Sequence, residues 1–296
     1  MPSPSQASVA VFLPDGLRAH IRHVLIKEKE VLVARSWEEL DSVIRENPVK
    51  AVILDPAADG VMNINAVATL LAKYPSLPFV AYVVLNQASF NAVAQLSRQG
   101  LENVVLHRLE DAPERFRATL ERATTNPLAL QALTALRPQI NRLPVRLAQA
   151  VDEMFTSPHR YIRASDLALT AQMSSVRLYR NFGIAGLGSP KKLLIAAKLL
   201  RGYGYLKDPG YSIAEVSRKL GYRNPRIFGE HCKDVFGQRP TRVRTHLGPD
   251  AVIERLVAWL QPGGGDRSPD HRKLEVIAER AARVKKQPYD AEPAAW

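Results

Sequence analysis

The sequence of 296 residues contains a single cysteine, Cys232. One thiol cannot form an intrachain disulfide or a multi-cysteine metal site. The helical pattern around Cys232 places it on an apolar side, which predicts a small buried side chain rather than a redox sensor.

Long apolar runs are also missing. No segment approaches the roughly 20 apolar residues that a helix needs to cross a bilayer. The N-terminal segment MPSPSQAS has no basic flank followed by an apolar core, as a secretory signal would. We therefore expect a cytoplasmic protein with no membrane partner.

The common enzyme motifs are absent as well: the sequence has no Gly-rich phosphate loop, no H-E-x-x-H and no G-x-S-x-G. His20, His23 and His107 are far apart in sequence, without an obvious carboxylate or cysteine partner. We expect no enzyme, no cofactor, no catalytic residue and no metal site.

Excess positive charge is confined to one region of the chain. Residues 124–245 contain 20 lysines and arginines against seven acidic residues. Residues 1–123 contain 13 basic and 14 acidic residues, and residues 246–296 contain eight basic and eight acidic residues. A basic region beside two neutral ones is typical of proteins that bind a phosphate backbone. A solvated helical surface would explain only a smaller excess.

Residues 9–123 alternate short apolar runs with helical patterns. Five such units in about 115 residues predict a parallel sheet with helices on both faces. The predicted strands are Val9–Leu13, Glu30–Ala34, Ala51–Leu54, Phe79–Leu85 and Val104–Leu106. The predicted helices are Gly16–Leu25, Trp37–Asn47, Asn65–Tyr74, Phe90–Gln99 and Pro113–Arg122.

This order resembles the flavodoxin-like receiver domain of two-component response regulators, and Asp55 stands at the place of the phosphate-accepting aspartate. The resemblance implies an acidic pair after the first strand, a hydroxyl after the fourth and a lysine after the fifth. The sequence has Pro14-Asp15, Val83 and His107-Arg108 at these places. We expect a receiver-like domain for dimerisation or signal input that works without phosphorylation. Asp55 is the candidate acceptor for the alternative that the domain is phosphorylated.

A helix-turn-helix pattern occupies residues 212–244. Ser212 and Glu215 have the spacing of a capping box, Gly221 suits a helix end, and Asn224-Pro225 suits the start of a second helix. That second helix is predicted to bury Ile227, Phe228, Cys232, Val235 and Phe236.

A weaker copy lies about 50 residues upstream. Ser174 matches Asn224, Leu178 matches Phe228, and Ser189-Pro190 matches Arg239-Pro240. One helix over residues 190–206 is predicted to join the two units. The copies, with shorter helices at Pro144–Phe155 and Asp166–Ala171, predict an all-α domain over residues 143–247.

The two units resemble the C-terminal double helix-turn-helix domain of AraC/XylS transcription regulators. The resemblance implies sequence-specific binding of double-stranded DNA through the second helix of each unit. The matching residues are Ala168, Leu178, Phe182, Ser189, Pro190, Gly221, Tyr222, Phe228, Phe236, Gly237 and Pro240. The candidate DNA contacts are Val176, Arg177, Arg180, Asn181, Arg223, Asn224, Arg226, Glu230 and Lys233, each to a base or to a phosphate.

Residues 124–142 form a predicted linker helix that starts at Asn126-Pro127 and stops at Pro138. Its stripe of Leu130, Leu133 and Leu136 either pairs two subunits or packs back on the N-terminal domain. Residues 248–296 are expected to form an extension, with an amphipathic helix over 249–260, a flexible linker, a charged helix over 270–286 and a tail.

These patterns predict a transcription regulator that reads two adjacent major grooves per protomer. Its expected partners are double-stranded DNA and a second copy of the chain, with RNA polymerase or another regulatory protein as a further candidate. The alternative is a protein-interaction adaptor whose helical repeat no longer reads DNA sequence.

Overall fold

The first part of the molecule is a five-stranded parallel sheet. With the strands numbered β1 to β5 along the chain, their order across the sheet is β2-β1-β3-β4-β5. A computed structural model describes residues 8–25 and 31–261. The predicted receiver-like sheet is confirmed, with small shifts at element ends. The strands are β1 Ser8–Phe12, β2 Val31–Val33, β3 Val49–Leu54, β4 Phe79–Val83 and β5 Asn103–Leu106, and the helices are α1 Asp15–Leu25, α2 Trp37–Glu46, α3 Ile64–Lys73, α4 Gln87–Ser97 and α5 Pro113–Thr124.

Strand alternation divides the sheet between two apolar layers. Val9 and Val11 belong to a cluster with residues of α1 and α5. Ala10 and Phe12 belong to a larger cluster that includes residues of α2, α3 and α4. Because both faces are covered, the strands carry almost unbroken apolar runs rather than a polar face.

The second part of the chain is helical. The helices predicted over 144–155, 190–206 and 249–260 are found within one residue of their expected bounds. The helices are α6 Pro127–Ile140, α7 Val145–Thr156, α8 Ala164–Thr170, α9 Ser175–Ala185, α10 Pro190–Lys207, α11 Ile213–Lys219, α12 Pro225–Phe236, α13 Pro240–His246 and α14 Pro249–Leu260.

Helix α6 differs from its prediction in two ways. Pro138 lies inside the helix, which continues to Ile140, so the proline does not stop it. Leu133 and Leu136 are buried, but Leu130 is 48% exposed. The buried side of α6 packs mainly against α7, α10 and α14 of the same chain rather than on the sheet.

Helix α14 covers the helical part. Val252, Leu256 and Leu260 are buried where α14 meets α6, α10 and α12. The predicted charged helix over 270–286, its preceding linker and the tail lie outside the described residues. Within the described segments no helix is long and apolar enough to cross a membrane.

The sheet and the helical part meet along a polar seam. The Asp208 carboxylate accepts hydrogen bonds from the backbone N–H of Ser76 at 2.7 Å and from its hydroxyl at 2.5 Å. The backbone N–H of Gly210 donates to the carbonyl of Lys73 at 2.9 Å. Burial raises the pKa of Asp208 to about 6, against the lowering effect of its bonds to Ser76.

Lys219 of α11 is the second anchor of the seam. Its side chain is buried, and its ammonium group donates to the carbonyl oxygens of Ile44 and Asn47 at the end of α2. Burial lowers the pKa of Lys219 to about 7. The first helix of the second helix-turn-helix unit is therefore attached directly to the sheet part.

Replacing Gly210 should open this seam. A β-carbon at Gly210 would overlap the Tyr74 ring and lie 3.0 Å from the Lys73 carbonyl oxygen. We expect Gly210→Ala to lower the free energy of unfolding by about 1–3 kcal/mol in chemical denaturation, the usual cost of overpacking.

Gly204→Ala is the matched control, because Gly204 also faces Ser76 but its β-carbon would lie at an ordinary 3.5 Å. This glycine is inside α10. Alanine there should leave stability unchanged or raise it by about 0.5–1 kcal/mol. Equal stability of the two variants would contradict close packing at Gly210.

Candidate nucleic-acid interface

Side-chain caps start three of the four helices in the two helix-turn-helix units, α9, α11 and α12. In the second unit the capping box is formed in both directions, with Glu215 N to Ser212 Oγ at 3.2 Å and Ser212 N to Glu215 Oε2 at 2.7 Å. The outer helices α9 and α12 are capped by Ser174 and Asn224, whose side chains accept from backbone N–H groups of the first turn. These caps fix where each outer helix begins.

The turns between the paired helices differ in residue type. Gly221 takes φ +76° between α11 and α12. Glycine adopts this left-handed conformation without steric cost. Gln172 takes φ +53° at the equivalent place in the first unit, where a side chain is strained. Its side-chain oxygen accepts a hydrogen bond from Arg146, which helps to hold that turn.

Both outer helices end at a left-handed glycine, Gly186 after α9 and Gly237 after α12. Gly188 has a different role. A β-carbon there would lie 3.0 Å from the Leu260 carbonyl, so α14 packs closely over it. Ser189 caps α10 through Lys192 N, whereas Arg239 makes no side-chain cap at α13.

Helix α9 presents an uncompensated basic surface. Arg177 and Arg180 are exposed, Val176 is 74% exposed, and α9 contains no acidic residue. Leu178 and Phe182 are buried on the opposite side. The structure thus leaves outside three of the four predicted contact residues of this unit.

Asn181 is only partly available. Its side chain is half-buried and its Nδ2 donates to Sδ of Met173 at 3.8 Å. This contact ties Asn181 to the turn that precedes α9. Any contact from Asn181 to a ligand would have to replace or share this donor.

Helix α12 is electrically balanced by comparison. Arg226 and Lys233 are exposed, but Glu230 and Asp234 are exposed on the same helix. Arg226 Nε donates to Glu230 Oε1 at 2.9 Å, so the carboxylate predicted to face a cytosine is paired within its own helix. This exposed pair adds little stability and can open at small cost.

The remaining predicted residues of the second unit precede α12. Arg223 is exposed, and Asn224 is exposed while its Oδ1 caps α12 through Arg226 N at 2.8 Å. The apolar pattern was wrong at Ile227, which is 43% exposed beside them. Ile227 lies at the edge of the buried stripe, next to the fully buried Phe228.

Two basic residues escaped the sequence-based selection. Arg239 and Arg242 line a shallow depression of about 260 Å³ together with Lys233. The charge of α13 was visible in the sequence, but its approach to the end of α12 was not. The buried thiol of Cys232 behaves as predicted, because burial raises its pKa to about 12.

Asp55 follows β3 at the carboxyl edge of the sheet. Its side chain is buried and its Oδ1 accepts from Ala57 N at 2.8 Å. Burial raises the pKa of Asp55, against the effect of the Ala57 bond. The Asp15 side chain is 93% exposed and pairs with Arg18, and the described residues contain no group of three or more His, Cys, Asp and Glu that could hold a metal ion.

The histidines of the sheet part are less isolated than the sequence suggested. His107 Nδ1 lies 2.7 Å and His20 Nε2 lies 3.5 Å from Oδ2 of Asp111. The hydroxyl of Tyr82 donates to the same oxygen at 2.7 Å. Burial alone would raise the pKa of Asp111. Hydrogen bonds from Tyr82, the Arg108 backbone and His107 nevertheless lower it to about 2. The side chain of His23 lies outside the described residues.

Comparison with known proteins gives limited matches. No family model matches the chain. A curated relative, the Msm operon regulatory protein of Streptococcus mutans, is 28% identical over 86 residues. The match covers 29% of this chain and 31% of that protein, so the chain spans about a third of the relative's length.

Three solved structures align over most of the chain at low similarity. Full-length FixJ from B. japonicum has a TM-score of 0.37 at 12% identity and covers 77% of this chain and 96% of its own. The response regulator StyR has a TM-score of 0.31 at 13% identity, and the alignment covers 77% of this chain and 99% of that chain. The xylose-binding transcription activator XylR has a TM-score of 0.27 at 15% identity, and the alignment covers 81% of this chain and 70% of that chain. TM-scores this low carry no argument about the function of this chain.

Proposed function

We propose that the chain is a sequence-specific DNA-binding transcription regulator of the AraC/XylS type. The observation that carries this proposal is the pair of capped outer helices, α9 and α12, with arginines exposed opposite their buried sides. Both lie in the region that carries the whole charge excess. The partial match to an operon regulatory protein supports the same class.

In this proposal α9 and α12 enter adjacent major grooves. Helix α10 fixes their separation, expected to be about one DNA turn, roughly 34 Å. Arg177 and Arg180 reach guanine edges, since arginine can donate two parallel bonds to O6 and N7. The second unit contributes Arg223, Arg226 and Lys233, with Arg239 and Arg242 added for the phosphates.

The sheet part serves signal input or dimerisation and does not depend on phosphorylation. A homodimer remains part of the proposal, but α6 is not its interface because its apolar side is covered within the chain. RNA polymerase or another regulatory protein is the further partner. The domain division proposed from the sequence is kept, with α6 and α14 packed onto the double helix-turn-helix domain.

Selection from a random pool of DNA duplexes, at two salt concentrations, tests the proposed function. We expect enrichment of a motif that spans two adjacent major grooves and survives the higher salt. Binding without enrichment that weakens steeply with salt would mean backbone attraction alone. That result would contradict the proposal and favour the adaptor.

Arg180→Ala should weaken binding to the selected duplex. We expect a loss of about 1–3 kcal/mol in binding free energy and a relaxed preference at one base position. Fluorescence anisotropy with the selected site and its single-base variants measures both. Arg98→Ala is the control, an exposed arginine in the sheet part. Unchanged affinity in Arg180→Ala would remove Arg180 from the interface, and an equal loss on every sequence would make it a phosphate contact.

Asp55 should not become phosphorylated. Its carboxylate is buried, and the neighbouring Asp15 faces solvent. After incubation with acetyl phosphate and Mg²⁺, we expect the intact mass of the protein to stay unchanged. An active receiver domain in the same tube controls for the reagent. A gain of one phosphoryl group that Asp55→Asn abolishes would contradict phosphorylation-independent input.

A further inference from the structure

The outer helices α9 and α12 share a pairing of side chains in the first turn. In α9 the second and third positions are Val176 and Arg177, and in α12 they are Arg226 and Ile227. All four side chains are exposed. Each outer helix therefore presents one apolar side chain and one guanidinium group at its start, in opposite order along the chain.

Helix stability gives no reason for an apolar residue at these two places. Valine and isoleucine lose side-chain freedom in a helix, and an exposed side chain gains little from burial. An acidic residue would suit the positive end of the helix dipole. The first turns of α9 and α12, both of which the structure describes, contain none. A residue that breaks local rules without a stabilising gain is typical of a functional site.

Val176 has a fixed place at the start of α9. The hydroxyl of Ser174 caps the helix by accepting from Arg177 N at 3.3 Å, and Leu178 anchors the first turn from the buried side. Residues four apart lie on the same face of a helix, so Val176 and Arg180 share the exposed side. In helix-turn-helix proteins the N-terminal residues of the second helix are the ones that meet base edges.

We propose that Val176 reads the 5-methyl group of a thymine in the major groove, and that Ile227 does the same in the second unit. This inference rests on the proposed DNA-binding function and specifies a base that both units read. Among the unmodified bases only thymine presents a methyl group in the major groove, and apolar side chains recognise it by contact. The adjacent arginine of each first turn can donate to a neighbouring guanine.

Ile184 shows why exposure alone does not carry the proposal. Single exposed apolar side chains are common on protein surfaces, and Ile184 is 64% exposed near the end of the same helix. It follows Val176 by eight residues, which is roughly 12 Å along the helix axis. That distance removes it from the end of α9 that would enter the groove. Ile184 is therefore the matched control for Val176.

Replacement of single thymines by deoxyuridine tests the proposal, because it removes the methyl group and leaves base pairing intact. The duplex is the one enriched in the selection experiment, and fluorescence anisotropy with the full chain measures its affinity. We expect at least one thymine whose replacement weakens binding about fourfold, the effect of one methyl group removed from an apolar contact. A synthetic pool contains no methylated cytosine, so thymine is the source of the methyl group.

Val176→Ala should bind the thymine duplex and its deoxyuridine counterpart equally well, since the side chain that contacts the methyl group is shortened. Ile184→Ala should keep the full fourfold difference between the two duplexes. Both substitutions replace an exposed β-branched residue of α9 by alanine. A general effect on the helix would therefore alter both variants alike.

Ile227→Ala tests the second unit. It should abolish the difference at another thymine, in the other half of the site, and leave the thymine read by Val176 unaffected. Ile227 adjoins the buried Phe228, so circular dichroism and chemical denaturation establish that this variant is folded. Loss of the difference at two separate thymines, one for each variant, supports the proposal.

Two kinds of failure are distinguishable. An enriched duplex that is insensitive to every deoxyuridine, or a difference that persists in folded Val176→Ala and Ile227→Ala, would overturn thymine recognition and leave the DNA-binding function standing. A loss of the difference in Ile184→Ala as well would also overturn it. Absence of any enriched duplex would overturn the proposed function, and this inference with it.

Discussion

The two parts of the chain are held together by the buried side chain of Lys219 beside the bonds between Asp208 and Ser76. The last carbonyl groups of an α-helix have no partner within the helix and form the negative end of its dipole. Lys219 donates to one of them, the carbonyl of Ile44, and also to the carbonyl of Asn47, the residue that follows α2. Burying an ammonium group is costly, so these bonds offset a penalty that would remain if the seam opened only in part. The contact therefore favours a fully closed seam over intermediate positions, and it fixes α11 to the sheet.

The same contact makes the two helix-turn-helix units unequal. Helix α8 packs on α7, α10 and α9, whereas α11 packs on α2 of the sheet part as well as on α10 and α12. A change in the sheet part would therefore reach the second unit first. The charge distribution adds to this difference, because α9 has two arginines and no acidic residue while the charges of α12 balance. The two units thus differ in charge and in attachment: the first carries the unbalanced arginines of α9, and the second is bonded to the sheet part.

The sequence was sufficient wherever the determining signal was local. Ser174, Ser212 and Asn224 were recognised as helix caps because a cap depends on residues within one turn, and the strands were recognised by their apolar runs. Ile227 and Leu130 were misassigned because each lies at the edge of an apolar stripe, where helical spacing does not decide burial. The role of Lys219 was out of reach, since its partner Ile44 lies 175 residues away. The pairing of His107 with Asp111 had a local signal in their spacing of four, but His20 joins them only through the fold.

The helical part carries both exposed and enclosed cations, and the two kinds differ in how much hydration they have lost. Both kinds occur along helix α10. Lys191 is exposed at its start, whereas Lys198 and Arg201 line a small cavity between the sheet part and the helical part. Exposed cations stay hydrated, so they attract a phosphate backbone at long range and release it when salt screens them. Enclosed cations have already lost hydration, and burial lowers the pKa of Lys198. Apolar residues of similar volume often replace buried charges without loss of stability. Carboxylates of the same chain offset part of this cost, because Asp166 acts on Lys198 and Asp208 acts on Arg201.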